Sequence, residues 1–217
     1  MTSNSTTNSP DSPNWFGGTL NYCCTTPLPD AGAGNITDAP LFVNQPGGNF
    51  QLQTNSPCIN DGTNGYVLPG ADLAGNSRIV SGTVDLGAYE CQSPALLALF
   101  AWFQSYGLST HASSLNADAD HDGMNNWQEW VAGTVPTNAS SNLRLQSLAL
   151  LNLPARATLA WSSVTNRTYF VGRSTNISTA PYSLLTSNIA GLAGTTSFTD
   201  SNPPAGDAAF YRVGIQQ

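Results

Sequence analysis

The chain has 217 residues, six of them basic and 13 acidic, for a net charge of −7. Only 9% of residues are charged, against about 25% in an ordinary soluble domain, and every cation is an Arg. The lack of clustered cations excludes nucleic-acid binding, the lack of Lys excludes Schiff-base and Walker-type phosphate chemistry, and no apolar run approaches the ~20 residues of a membrane span.

Ser, Thr, Asn and Gly stand where charges would be. With 20 Gly and 14 Pro, the chain reads as turn-rich β-structure, and its hydrophobic content supplies a core. Residues 1–13 read as a disordered or linker segment. Residues 14–92 predict short strands at 18–24, 41–43, 49–53, 78–80 and 83–90. Turn signals separate them: Pro46-Gly47-Gly48, Asn60-Asp61-Gly62 and Ala74-Gly75-Asn76. Residues 93–138 change character. The stretch 93–108 opens on Ser93-Pro94, carries apolar residues at helical spacing and ends near Gly107, which predicts a helix. A shorter helix is expected over about 125–132, stopping at Gly133. Residues 139–217 return to β, with strands at 143–151, 157–162, 168–174, 183–187, 196–199 and 209–216. Leu159 and Trp161, and Tyr211, Val213 and Ile215, alternate like core positions of a small sandwich.

The four cysteines are Cys23, Cys24, Cys58 and Cys91. An even count in a low-charge, Asn/Thr-rich chain points to disulfides in an oxidising compartment, and the spacing does not suit zinc. Adjacent strand residues face opposite ways, so Cys23 and Cys24 take different partners. Of the connectivities that remain, the favoured one is Cys24–Cys58 with Cys23–Cys91. Residues 1–20 lack the basic and apolar regions of a signal peptide. The expectation is therefore the C-terminal part of a longer secreted or cell-surface protein.

Residues 118–129 carry the strongest chemical signal. They match D-x-[DN]-x-[DN]-G-x₅-E at every specified position. Ca²⁺ is a hard cation that takes six to eight oxygens. Asp118, Asp120 and Asp122 occupy the first, third and fifth loop positions, and Gly123 permits the reversal. Met124 offers its backbone carbonyl, Asn126 a water-mediated contact, and Glu129 closes the site with two oxygens. Four carboxylates in one loop repel each other unless a cation joins them. One structural Ca²⁺ is expected, fixing the first turn of the following helix.

Three stretches resemble known families. The pieces Ala39-Pro40-Leu41-Phe42-Val43, Asn49-Phe50-Gln51-Leu52, Ser56-Pro57-Cys58-Ile59-Asn60, Asp72-Leu73-Ala74-Gly75-Asn76-Ser77-Arg78 and Val84-Asp85-Leu86-Gly87-Ala88-Tyr89-Glu90 resemble the C-terminal end of bacterial choice-of-anchor Q type surface proteins, whose fold is a right-handed parallel β-helix. That resemblance implies that 14–92 are the last coils and cap of a solenoid. Residues 115–138 are similar to thrombospondin type 3-like and dockerin-like calcium repeats, but Val135 stands where those repeats often carry Asp. Residues 159–216 resemble small C-terminal β-sandwich modules that follow such repeats. The implied organisation is mainly β: 14–92 a β-helix end, 93–138 a calcium-binding helix-loop-helix connector, and 139–217 a β-sandwich.

No nucleophile elbow or zinc-hydrolase spacing is present. His121, inside the calcium loop, and His111, in a polar linker, read as solvated. The weak catalytic candidates are Asp85 and Glu90, since polysaccharide-active enzymes use paired carboxylates. Their separation along one strand would put them on opposite faces, and turn hydrogen bonding with pairing to Arg78 is the favoured role. The functional expectation is a non-catalytic, calcium-binding structural region, monomeric, whose partner is the upstream β-helix of the same protein. The alternative is a carbohydrate-active protein that binds or cleaves an extracellular polysaccharide.

Overall fold

The computed structural model describes residues 15, 18–152, 155–178, 181–204 and 208–216. The expected linker 1–13 lies outside them. The fold is mainly β, built from small antiparallel sheets. Two compact units divide the chain, Met1–Ala117 and Asp118–Gln217. The stretch 93–138, expected as one connector, is shared between them.

In the first unit, β1 (Phe42–Asn44) and β2 (Asn49–Leu52) pair around a tight reversal. There the Asn44 side chain accepts from the Gly47 amide, and Gly48 adopts a left-handed φ of 77°. The strands expected at 18–24, 78–80 and 83–90 do not form. The pairing found there is two isolated bridges, Cys24 with Ile36 and Val80 with Thr83, and a third joins Ala71 with Ser77 nearby in sequence. The reason is visible in the amide partners. Cys23 N donates to Asn35 Oδ1, Ala33 N to Asn21 Oδ1, Val84 N to Asn64 Oδ1 and Glu90 N to Asp72 Oδ2. Short Asn and Asp side chains take hydrogen bonds that a strand ladder would need.

Helix α1 (Pro94–Ser105) forms where expected and buries Leu99, Phe100 and Phe103. Ser93 makes no side-chain capping bond, and Pro94 alone sets the entry by supplying a helical φ without an N–H to satisfy. Gly107 follows the helix with φ of 70°.

The second unit opens with the acidic loop, followed by α2 (Asn126–Ala132). Six strands then form two three-stranded antiparallel sheets. One has the order β3 (Leu145–Asn152), β4 (Ala155–Ser163), β7 (Gly194–Asp200). The other has the order β6 (Ser183–Ala190), β5 (Thr168–Ser174), β8 (Phe210–Ile215). The pleat turns Ala157, Leu159 and Trp161 of β4 to one side. Leu159 and Trp161 meet Tyr169 and Val171 of β5, with Phe198, Tyr211, Val213 and Ile215 packed around them. The Trp161 and Tyr169 rings lie 5.8 Å apart, within the range of favourable aromatic pairs.

Candidate functional site

The loop that opens at Asp118 brings three of its carboxylates together. Asp118, Asp120 and Asp122 are half-buried, while Ala119, His121 and Gly123 point to solvent. His121 turns with φ of 62° and Gly123 with φ of 96°, the left-handed region that Gly enters without strain. Asp118 braces the turn: its Oδ1 accepts from the Asp122 amide at 3.2 Å and its Oδ2 from the Gly123 amide at 2.9 Å. Asp122 Oδ1 accepts from the Met124 amide at 2.8 Å. One carboxylate oxygen from each of the three Asp can be chosen so that all lie within 4.8 Å of one another.

Glu129, on the first turn of α2, is not one of that close trio, and its side chain is fully buried. Its Oε1 accepts from the Thr134 hydroxyl at 3.3 Å, while its Oε2 has no hydrogen-bond partner. Both oxygens of Asp120 and Oδ2 of Asp122 are likewise buried and without a hydrogen bond. Asn126 is buried beside them in sequence, with 2% of its surface exposed. Buried carboxylate oxygens are costly unless a donor or a cation meets them.

The electrostatics agree with that cost. Burial pushes the Glu129 carboxyl up to about 7, and the charges of Asp120 and Asp122 push it further in the same direction. Asp118 goes the other way: desolvation raises it, but the Gly123, Asp122 and His121 amides outweigh that and hold it below the usual carboxylate range. The three Asp offer hard oxygen donors, so the arrangement can hold a hard divalent cation and does not suit a soft metal.

Three features that hold this loop in place were not found in the sequence reading. Asn125 caps α2: its side chain accepts from the Gln128 amide, and the Gln128 side chain accepts from the Asn125 amide, both at 2.8 Å. The spacing Asn-x-x-Gln signals such a box. Arg167, on the turn between β4 and β5, reaches the other end of α2. Its Nε donates to Val131 O at 2.8 Å and its Nη2 to Trp130 O at 3.1 Å. No local pattern announces that contact. Met124 also turns its sulfur to the Leu143 amide, 3.2 Å away, ahead of β3.

Asp85 and Glu90 do not lie on a strand, and they do not face opposite ways. Both are buried in an irregular segment. Asp85 Oδ1 accepts from the Asn60 amide and Oδ2 from the Cys91 amide, each at 2.7 Å. Glu90 Oε2 accepts from the Asp85 amide at 3.2 Å, and Oε1 lies 3.4 Å from the Arg78 guanidinium. Gly62 sits against this hub, where a Cβ would come within 2.7 Å of the Val84 carbonyl. Burial raises both carboxyls, Glu90 to about 7 with the Asp85 charge adding to the rise. These acids organise backbone rather than line a groove.

His111 has Nδ1 2.9 Å from Asp61 Oδ1 and keeps 40% of its side chain exposed, so it is paired as well as partly solvated, while His121 is exposed. All four cysteines are thiols. Cys23 and Cys24 do point different ways: Cys23 Sγ donates to Asn21 O at 3.3 Å and Cys24 Sγ to Asp38 O at 3.0 Å.

The chain matches no family model, no curated protein and no solved structure.

Proposed function

We propose that this chain is a calcium-stabilised, non-catalytic structural region of a secreted or cell-surface protein. In this reading Met1–Ala117 contains the closing end of a β-solenoid whose other coils lie upstream. The second unit is a β-sandwich joined to it through the calcium loop. The observation that carries the calcium reading is Glu129, which is fully buried with one oxygen unpartnered and has its charge opposed by Asp120 and Asp122. A cation held by Asp118, Asp120 and Asp122 would offset the charges that oppose Glu129. Calcium suits the donor set better than magnesium. Ca²⁺ accepts many carboxylate and carbonyl oxygens in flexible geometry, whereas Mg²⁺ demands a near-ideal octahedron and keeps its waters. The bracing of Asp85 and Glu90 by backbone amides supports a structural role for those acids.

Metal binding only to the folded state raises stability by mass action. A single loop of this kind, as in extracellular modules, binds with Kd on the order of 10⁻⁴–10⁻³ M. Millimolar Ca²⁺ is expected to raise the melting temperature, EDTA to reverse the rise, and Mg²⁺ at equal concentration to do much less. In Glu129→Gln the Ca²⁺ response is lost while the metal-free protein melts no lower than wild type, because a buried, repelled charge has gone. A melting temperature indifferent to millimolar Ca²⁺ in the wild-type protein would overturn the calcium reading.

A further inference from the structure

Strand β3 reads LQSLALLN and carries no charged side chain. It lies at one edge of the order β3-β4-β7, so one side of its backbone pairs with β4 and the other is open among the described residues. Its register on β4 shows which face each leucine takes. Leu145 stands opposite Trp161, Leu148 opposite Leu159 and Leu150 opposite Ala157, and directly opposed residues share a face of the sheet. Trp161, Leu159 and Ala157 are 0% exposed, whereas their β3 partners are 45%, 43% and 65% exposed. The apolar face that is buried on β4 therefore continues onto β3 and stops there uncovered.

Single exposed leucines need no account, but an apolar row along an open edge does. Natural edges are blunted by charge, bulges or polar side chains. The other edges of the two sheets have one of these. β8 presents exposed Arg212, β6 shifts register twice against β5, and β7 exposes Thr195, Ser197 and Thr199. β3 is irregular only between Leu145 and Ser147 and runs regularly to Asn152. No part of the sequence outside the described residues supplies an apolar strand: residues 1–14 read MTSNSTTNSPDSPN, and the other stretches are one to three residues long.

We propose that β3 is a dimer contact, in which the strands of two copies of this chain pair antiparallel and join their sheets into one of six strands, in place of the monomer expected from the sequence. The occupant is a second copy because the strand complements itself. A neutral strand meets its own sequence without charge repulsion, and the antiparallel pair is isologous about a two-fold axis, so the contact closes at two. With that axis normal to the sheet, Leu145, Leu148 and Leu150 of both copies lie on one face as cross-strand neighbours. Each copy keeps its own core around Trp161 and Tyr169. The contact is one strand wide, at the small end of specific interfaces, so the dimer comes apart on dilution.

The test is sedimentation equilibrium of the full chain from about 1 to about 500 μM, with millimolar Ca²⁺ and a thiol reductant present. The expected result is a mass that rises with concentration from one chain to two and stops there. The rise should persist at high salt, because no charge pair holds the contact. Leu150→Lys puts a charge on the open edge and is expected to keep the single-chain mass throughout. Leu184→Lys, at an exposed leucine of β6, should dimerise as wild type does. Circular dichroism identifies a Leu150→Lys protein that fails to fold, and the milder Leu150→Ser replaces it in that case. Hydrogen exchange at both ends of the concentration range separates strand pairing from unspecific sticking: amides of β3 should slow at the high end and those of β7 should not. A wild-type mass that stays at one chain overturns the proposal, as does growth beyond two. Equal loss of the dimer in Leu184→Lys, or β3 exchange indifferent to concentration, overturns it as well. The calcium reading is judged by melting and this one by mass, so either can fail alone.

Discussion

Two buried glutamates carry most of the unusual chemistry at the level of single residues: burial and neighbouring Asp charges push both up to about 7, and what separates them is the partner each meets. Both have carboxylate neighbours and one oxygen without a hydrogen bond, but that oxygen of Glu90 lies 3.4 Å from the Arg78 guanidinium. Burial, with the Asp85 charge next, raises Glu90 to about 7 from its ordinary 4.5. A raised carboxyl pKa means that the folded state holds the proton more tightly than the unfolded chain. That contribution to stability is complete below the unfolded value near 4.5 and is lost as pH rises through about 7. Urea unfolding across this range is expected to show wild type losing up to ~3 kcal/mol relative to Glu90→Gln. Parallel pH profiles of the two proteins would contradict the assignment. Asp85 is different, because each oxygen already accepts a 2.7 Å amide bond. Asp85→Ala leaves the buried Asn60 and Cys91 amides unpaired and is expected to cost ~2–4 kcal/mol, measured by the same unfolding.

Helix α2 illustrates how an element is placed rather than merely formed. It spans only seven residues, too short to be stable alone. Asn125 and Gln128 fasten its N-terminus, and Gly133 with φ of 73° ends it. Arg167 brings a positive charge to its carbonyl end, where the helix dipole favours cations. Asn125→Ala is expected to cost ~1 kcal/mol. Arg167→Ala should cost ~2 kcal/mol by removing two charge-assisted bonds. It should also weaken Ca²⁺ binding in calorimetric titration, since Glu129 rides on the helix that Arg167 holds. Unchanged Ca²⁺ affinity in Arg167→Ala would show that the loop is positioned without the strands. Strand β3 stands in contrast. Leu145, Leu148, Leu150 and Leu151 are all exposed, and the strand pairs with β4 alone among the described residues. Leu150→Ser is therefore expected to shift stability by no more than ~0.5 kcal/mol.

Across the whole molecule, the two compact units are built by different means. The second has a ladder-paired core around Trp161 and Tyr169. In the first, carboxylates and amides thread an irregular backbone, with Asn60, Asp72 and Asp85 buried at its centre. The acidic loop belongs to the second unit, Asp118–Gln217, tied to its strands through Arg167 and Met124. Hydrogen exchange is expected to show Ca²⁺ protecting amides of α2 and of Leu143. Calorimetry is expected to show a calcium-sensitive transition for that unit. Protection confined to the loop itself, leaving α2 unchanged, would mean that metal binding is not transmitted to the fold.

The sequence by itself was enough for the acidic loop, both helices and the alternating strands of the second unit. These are local patterns: a fixed spacing of oxygens, a helical period, a pleat of two. It also indicated that Asp85 and Glu90 would serve turns and Arg78. It misplaced the strands around Cys24 and Thr83, because Asn and Asp side chains far along the chain capture those amides, and no local propensity records such a competitor. The pairing of His111 with Asp61 and the clasp of Arg167 on α2 were decided only by the tertiary structure. Each joins segments between 36 and 50 positions apart. Contacts at that range depend on where chain closure brings the backbone, and composition and periodicity carry no term for that.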